Sequence, residues 1–242
     1  MLKIIDINES EYTTLEHKLY VTDEPETILR LSDAGHFVVP VINNHSIDSD
    51  FSKFKYILES TDDVEYDTYL KIWQRYVNIP WQILETPRCY VREMCIGDLQ
   101  DLYQFHSEHS IAQVLREIPS NIDDLKTYIE NYRKNVYEFY EFGTWNVYTR
   151  KDNRLIGRAG INMREENSIP EIGYAIAPSY RRQGYAYEVC QSILNYVHDE
   201  LNIKEICAYT EVSNVPSYVL LCKLGFAMTS SDSSHRFFYI NL

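Results

Sequence analysis

A mixed α/β protein in two modules is the fold class that the sequence predicts, on three observations. Apolar residues alternate with period two in some segments and recur at i, i+3, i+4, i+7 in others, so strands and helices intermix along the chain. The 242 residues fall between one domain and two at about 150 residues per domain. Charge is unevenly shared: 16 acids and 7 bases in residues 1–87, 20 and 16 in residues 88–242, within a net −13.

In the first module, Leu19 to Thr22 reads as a short strand. Asp23 then caps a helix that has Pro25 in its first turn and Gly35 past its end. Phe37 to Ile42 is a second strand, interrupted only by Pro40, and Tyr56 to Leu58 a third, which gives a small Rossmann-like βαβ pattern. From Asp62 to Asn78 the residues Tyr66, Tyr69, Leu70, Trp73, Tyr76 and Val77 share one helical face. Pro80 and Pro87 bracket a linker, so the expected modules are 1–87 and 88–242.

The second module opens with a strand, Cys89 to Met94, and a helix capped by Gly97-Asp98 that runs through His106. A longer helix covers Asp123 to Tyr140. Trp145 to Thr149 and Arg154 to Ile161 form a hairpin around the polar turn Lys151-Asp152-Asn153. After a loop ending at Pro170, Glu171 to Ala177 is a strand. Ala186, Val189, Cys190, Ile193, Leu194 and Val197 then hold helical spacing, and Ile203 to Thr210 returns to alternation. A short helix from Pro216 to Leu224 ends at Gly225. Phe226 to Thr229 and Arg236 to Ile240 close the chain as a hairpin.

Composition excludes several classes. With 45% hydrophobic, 14% aromatic and 24% charged residues, the chain belongs with folded globular proteins rather than disordered or fibrous ones. No run of about 18 apolar residues occurs, and the N-terminus carries acids where a signal peptide needs an apolar stretch, so a cytoplasmic protein is expected. The acidic balance disfavours nucleic acid and anionic membranes and favours a cationic partner. Five cysteines without a C-x-x-C pair predict neither disulfides nor zinc, but reduced thiols mostly in the core. His106 and His109, at i and i+3, read as a polar helix face, and no metal is expected.

Chemistry concentrates in Glu171-Ile-Gly-Tyr-Ala-Ile-Ala-Pro-Ser-Tyr-Arg-Arg-Gln-Gly-Tyr-Ala-Tyr-Glu188. A strand ends, the turn Arg181-Arg182-Gln183-Gly184-Tyr185-Ala186 follows, and a helix begins. Backbone N–H groups at a helix N-terminus, reinforced by its dipole, hold a pyrophosphate where small residues let it approach. A solvated loop with a glycine for turn geometry is the plainer alternative.

These residues resemble the GNAT superfamily of N-acetyltransferases, whose cofactor loop reads Q/R-x-x-G-x-G/A; Arg181, Gly184 and Ala186 match it. A second landmark, N-x-x-S-x-x-x-x-x-K-L-G-F, matches Asn214, Ser217, Lys223, Leu224, Gly225 and Phe226. The pair of landmarks is most similar to the ribosomal-protein (RimJ/RimL-like) branch, and the resemblance covers residues 88–242. It implies a mixed, mostly antiparallel sheet flanked by helices (an α+β arrangement), splayed between the strand at Glu171 and the strand at Ile203. It further implies acetyl-CoA as cosubstrate, with pantetheine in the splay on backbone amides near Ile176 and Ala177. The pyrophosphate would lie on Arg181 to Ala186, with Arg182, Gln183 and Tyr185 contributing. Asn214 would touch the pantetheine arm, or only cap the helix that Pro216 opens.

Acyl transfer to nitrogen needs a neutral amine. A lysine-like amine of pKa about 10.4 costs about 4.6 kcal/mol to deprotonate at pH 7, an α-amine near 7.8 only about 1 kcal/mol. Glu171 matches a position where family members place a catalytic glutamate, although a strand-end carboxylate needs no such role. Ser217 is expected to contact substrate or the departing thiol. The usual tyrosine acid, seven residues after the asparagine, is Leu221 here, with Tyr218 as the nearby substitute. The expected function is an acetyl-CoA-dependent N-acetyltransferase that moves acetyl directly to a primary amine of a small molecule or peptide, with homo-oligomerisation left open. A catalytically degenerate acetyl-CoA-binding sensory module is the alternative. A phosphatase-like role for the first module lacks chemistry, since no D-x-D follows its strand.

Overall fold

Strand and helix patterns resolve into two sheets in the computed structural model of the protein, which describes residues 1–7, 16–42, 50–164 and 167–242. The chain divides into the units Met1–Trp81 and Gln82–Leu242.

In the first unit, β1 (Leu2–Asp6), β2 (Lys18–Thr22) and β3 (Val38–Pro40) pair in that order. β1 runs antiparallel to β2, and β3 runs parallel to β2. The crossover is α1 (Pro25–Asp33), so the βαβ pattern stands. Glu24 rather than Asp23 is the N-cap, since the helix opens at Pro25, and the Asp23 carboxylate accepts from the Met1 ammonium instead. Tyr56 to Leu58 is not a strand but a single parallel bridge, Val41 to Leu58. α2 (Tyr66–Tyr76) buries Tyr69, Ile72 and Trp73 against Leu19, Val21 and Val39. The Trp73 indole donates to the Glu16 carbonyl at 2.6 Å, which satisfies the polar atom of a fully buried ring.

The second unit carries eight strands in the order β10-β11-β9-β8-β7-β6-β5-β4. They are β4 (Gln82–Glu85), β5 (Cys89–Arg92), β6 (Thr144–Thr149), β7 (Leu155–Arg164), β8 (Asn167–Ile176), β9 (Glu205–Glu211), β10 (Ala227–Ser231) and β11 (His235–Asn241). Every neighbouring pair is antiparallel except β8 and β9. The stretch between Pro80 and Pro87, expected as a linker, contains β4, whose backbone is paired along β5. Pro170 lies inside β8 rather than in a preceding loop; residues 165–166, part of that expected loop, fall outside the described residues. Helices α3 (Leu99–Ser107), α4 (His109–Ala112), α5 (Ile122–Tyr132), α6 (Glu138–Tyr140), α7 (Tyr185–Asp199) and α8 (Val215–Lys223) cover the sheet.

The helix expected over Asp123 to Tyr140 is divided, because five residues, Arg133–Tyr137, widen into a π turn. That widening brings the Tyr137 hydroxyl to the Thr144 carbonyl at 2.6 Å, while the Tyr132 hydroxyl accepts from the Thr144 amide at 2.8 Å.

The two faces of the sheet differ. One is apolar: Val91, Val147, Ile161, Ile172 and Ala208 share a core with Val189, Ile193 and Val197 of α7. Along the other, register aligns Arg92, Asn146 and Arg158 in a polar row. Arg92 donates to Asp98 at 2.8 Å and Asn146 to the same carboxylate at 3.2 Å. His106, expected on a polar helix face, is buried with Nε2 2.9 Å from the Leu115 carbonyl. Only Cys89 and Cys190 are fully buried among the thiols, and Cys222 is exposed on α8. Burial pushes the Cys89 thiol up to about 11.

The Arg92–Asp98 pair yields a pH-dependent expectation. Burial pushes the Asp98 carboxyl up, but bonds from Arg92 and the Cys95 amide outweigh it and hold it below its ordinary value. A carboxyl lowered on folding contributes stability that is present above its unfolded pKa and lost as pH falls through the folded one, so the loss begins below about pH 4. Asp98→Asn is expected to cost about 3–5 kcal/mol at pH 7, because Arg92 keeps its burial without its counter-charge. The variant should also lose less further stability on acidification than the parent. Urea denaturation at pH 7 and pH 3.5 checks both statements, and parallel pH profiles would refute the second.

Candidate active site

β8 and β9 are joined by a single register pair, Glu171 with Cys207, and diverge beyond it. Parallel strands that part leave backbone groups facing a gap. Residues bonded across an antiparallel ladder alternate, and the Ala177 amide donates to the Ile156 carbonyl at 2.8 Å. Alternation back along β8 therefore turns the amides of Tyr174 and Ile176 away from β7, toward the gap. Of the expected pair Ile176 and Ala177, only Ile176 presents its backbone there, and its carbonyl accepts from Arg181 Nε at 2.8 Å.

Pro178–Tyr180 forms one 3₁₀ turn after β8. Arg182 at φ 59° and Gly184 at φ 85° then reverse the backbone, and Gly184 is the N-cap of α7. Positive φ is open to glycine without strain, and the first amides of the helix have no carbonyl four residues behind them. Arg181 bends back to Ser110 at 2.9 Å, and the Gln183 side-chain amide donates to the Ser179 carbonyl at 2.8 Å. Tyr185 and Ala186 occupy the first turn of α7.

Arg88 and Glu188 are residues that sequence reasoning did not single out. Arg88 Nη1 donates to the Gln183 carbonyl at 2.9 Å, Nε reaches Glu188 at 2.6 Å, and the guanidinium lies 4.1 Å over the Tyr185 ring. The hydrogen bond to Glu188 raises the Arg88 pKa. Burial pushes the Glu188 carboxyl up, but hydrogen bonds from Thr86 and Arg88 outweigh it and lower it. The signal in the sequence was Glu188 itself: an acid in the first turn beside an expected anion site requires a cation from elsewhere.

Beyond the gap, Asn214 caps α8, its side-chain oxygen accepting from the Ser217 amide at 3.2 Å. The Tyr174 hydroxyl spans the gap to the Ser217 carbonyl at 3.4 Å, and burial raises its pKa. Tyr218 packs toward Phe238 with Arg236 4.9 Å over its ring. Leu221 is buried in the core. On the polar face, half-buried Glu171 pairs in register with Asn162. Two residues on, a Cβ at Gly173 would meet only the Asn162 side chain, at 3.9 Å, so the strand surface beside Glu171 is open. Among the described residues no group of three His, Cys, Asp or Glu is arranged to hold a metal, and no helix is long and apolar enough to cross a membrane.

Known proteins are similar to this chain in sequence and in fold. The uncharacterized N-acetyltransferase YnaD of Bacillus subtilis is 28% identical over 142 residues, 59% of this chain and 81% of its own length. A putative GnaT-family acetyltransferase from Bordetella pertussis superposes with a TM-score of 0.57 at 21% identity, covering 66% of this chain and 99% of that one. RimL, a ribosomal alpha-N-protein acetyltransferase in complex with coenzyme A, gives 0.59 at 12% identity over 67% and 98%. The acetyltransferase (GNAT) domain matches residues 88–227, from β5 through the α7 loop to the strand after α8. With more than half of its length in that match, the chain belongs to the GNAT family of acetyltransferases.

Proposed function

We propose that the protein transfers the acetyl group of acetyl-CoA to a primary amine by direct attack. The observation that carries this reading is the gap between β8 and β9, which ends on the Gly184 turn and the first amides of α7. The turn and helix amides suit a pyrophosphate, with Arg181, Arg182, Gln183, Tyr185 and Ala186 around it. The gap suits an extended pantetheine arm paired to the backbone of Tyr174 and Ile176, one of whose amides polarises the thioester carbonyl. Ala177 supports the strand, and Asn214 serves as a cap beside the arm.

On the polar face Glu171 takes a proton from the ammonium form of the acceptor. The amine nitrogen attacks the thioester carbon, the carbon–sulfur bond breaks, and coenzyme A leaves as a thiolate that takes up the second proton, the one the acylated nitrogen sheds. Ser217, in the first turn of α8, contacts the thiol or the substrate. Tyr218 is held in packing against Phe238, and a thiolate is a good leaving group that needs little help from an acid. The acceptor is assigned to cationic amines, on the net charge of −13 and on Glu171 beside open surface. The unit Gln82–Leu242, which holds the family match at residues 88–227, carries the reaction, and Met1–Trp81 forms an accessory module in place of the expected 1–87.

Leu221 buried in the core favours the second reading, an acetyl-CoA-binding module without turnover, because no hydroxyl stands at that position. One experiment separates them. Thermal-shift titration with acetyl-CoA is expected to stabilise the protein, and a panel of polyamines, aminoglycosides and basic peptides is expected to release free thiol. Stabilisation without thiol release on any amine would favour the binding module, and no stabilisation would refute both.

A further inference from the structure

Arg88 makes more of the loop than a brace requires. Its backbone amide and Nε both bind the Glu188 carboxylate, at 2.9 and 2.6 Å. Its Nη1 holds the carbonyl of Gln183, 95 residues later in the chain. Those bonds, with the Tyr185 ring beneath the guanidinium plane, orient a side chain that is itself exposed to solvent. Among the described residues Nη2 has no acceptor, and it lies 3.4 Å from where a Cβ on Gly184 would sit. An oriented donor group thus faces the turn from the β5 side.

The other cations of the loop are placed differently. Arg181 is spent on the Ile176 carbonyl and Ser110, and Arg182 is exposed at a reversed backbone position. Glu188 puts a negative charge in the first turn of α7, where it opposes an anion at the helix N-terminus. Arg88 cancels that charge and still has its Nη2 uncommitted. Arginine suits this double duty, because its planar fork serves two partners at once, whereas lysine is a point charge.

We infer that Arg88 is a phosphate-binding residue, whose free Nη2 donates to the pyrophosphate of the cosubstrate at the Gly184 turn while its Nε neutralises Glu188. The inference rests on the acetyl-CoA reading above and adds a ligand contact from the turn between β4 and β5, outside both sequence landmarks. The absent Cβ of Gly184 leaves room for guanidinium and phosphate to meet.

Arg88→Ala is expected to raise the Kd for acetyl-CoA by about 10- to 100-fold, the range for losing a hydrogen bond to a charged group. KM for acetyl-CoA should rise with it while kcat at saturation moves little, and affinity should depend less steeply on salt. The deciding variant is the double Arg88→Gln, Glu188→Gln, which removes both charges together, leaves no unpaired carboxylate behind, and guards against misfolding of the alanine variant. A purely charge-cancelling role predicts that the double variant binds acetyl-CoA as the parent does, and a purely structural brace on the Gln183 carbonyl predicts weaker binding with an unchanged salt slope; either result would overturn the inference, whereas a direct contact makes the slope shallower. A direct contact predicts that it stays weak. Acetyl-dephospho-CoA must show the same loss, since a loss confined to acetyl-CoA would place the contact on the 3′-phosphate instead and refute the assignment. A parent with no affinity for acetyl-CoA would remove the cofactor reading together with this one, whereas a tight parent and an equally tight double variant would remove this one alone.

Discussion

Gly184→Glu is expected to weaken acetyl-CoA binding by about 100-fold or more while leaving the fold intact. Three effects act together. A side chain at φ 85° forces the turn into a conformation that costs an L-residue about 1–3 kcal/mol. Its Cβ occupies the space where a phosphate approaches the first amides of α7. Its carboxylate lies beside Arg88, whose Nη2 is 3.4 Å from that Cβ, so it competes for the cation and repels the anion. About 2.7 kcal/mol corresponds to a factor of 100 in Kd, and strain and repulsion together reach that amount. Gly184→Ala keeps the strain without the charge and should lose about tenfold. Titration calorimetry on variants shown to be folded by circular dichroism measures both, and parent-like affinity in Gly184→Glu would refute the placement of the pyrophosphate.

How much of this was legible in the sequence follows from the range of the interactions. The turn at Gly184 and the cap at Asn214 are local, and the family resemblance carried by the residues there located them. α7 was legible because its buried face repeats without interruption from Val189 to Val197. β1 and β4 were not, because they are short edge strands: Leu2 and Ile4 are exposed, and β4 carries a register shift between Gln82 and Leu84, so neither shows a clean alternation. The π turn at Arg133–Tyr137 depends on a bond from Tyr137 to Thr144 across to the sheet, and nothing in the local spacing encodes it. His106 illustrates the same limit, since a polar residue on a helix is legible but its acceptor nine residues on is not. The ion pair of Arg88 with Glu188 spans 100 residues, beyond the reach of a motif. Which amides face the gap was settled by ladder register, a pairing between distant segments, and this moves the expected donor from Ala177 to Tyr174 and Ile176.

Glu171→Gln is expected to lower kcat/KM by about 10²–10⁴-fold at pH 7 toward an amine of high pKa, the range for loss of a positioned general base. Glu171 sits at the one pair that joins β8 to β9, so it marks the point where the gap begins, with open surface at Gly173 on the same face. Glutamine keeps the shape and cannot take the proton. The sign of the pH dependence follows from the acceptor: as pH rises toward about 10.4 the amine loses its proton unaided, and the deficit should shrink. An α-amine, already partly neutral at pH 7, should show a smaller deficit at every pH. A base that acts on nothing would leave parent and variant profiles parallel, and that outcome would remove Glu171 from the chemistry while leaving acetyl transfer in place. The thiol of Cys222, exposed on α8, is the nucleophile that a two-step route through an acetylated enzyme would need near Ser217. Cys222→Ala should therefore retain most activity under direct transfer, and an acetyl-cysteine trapped by mass spectrometry at a turnover-competent rate would refute it.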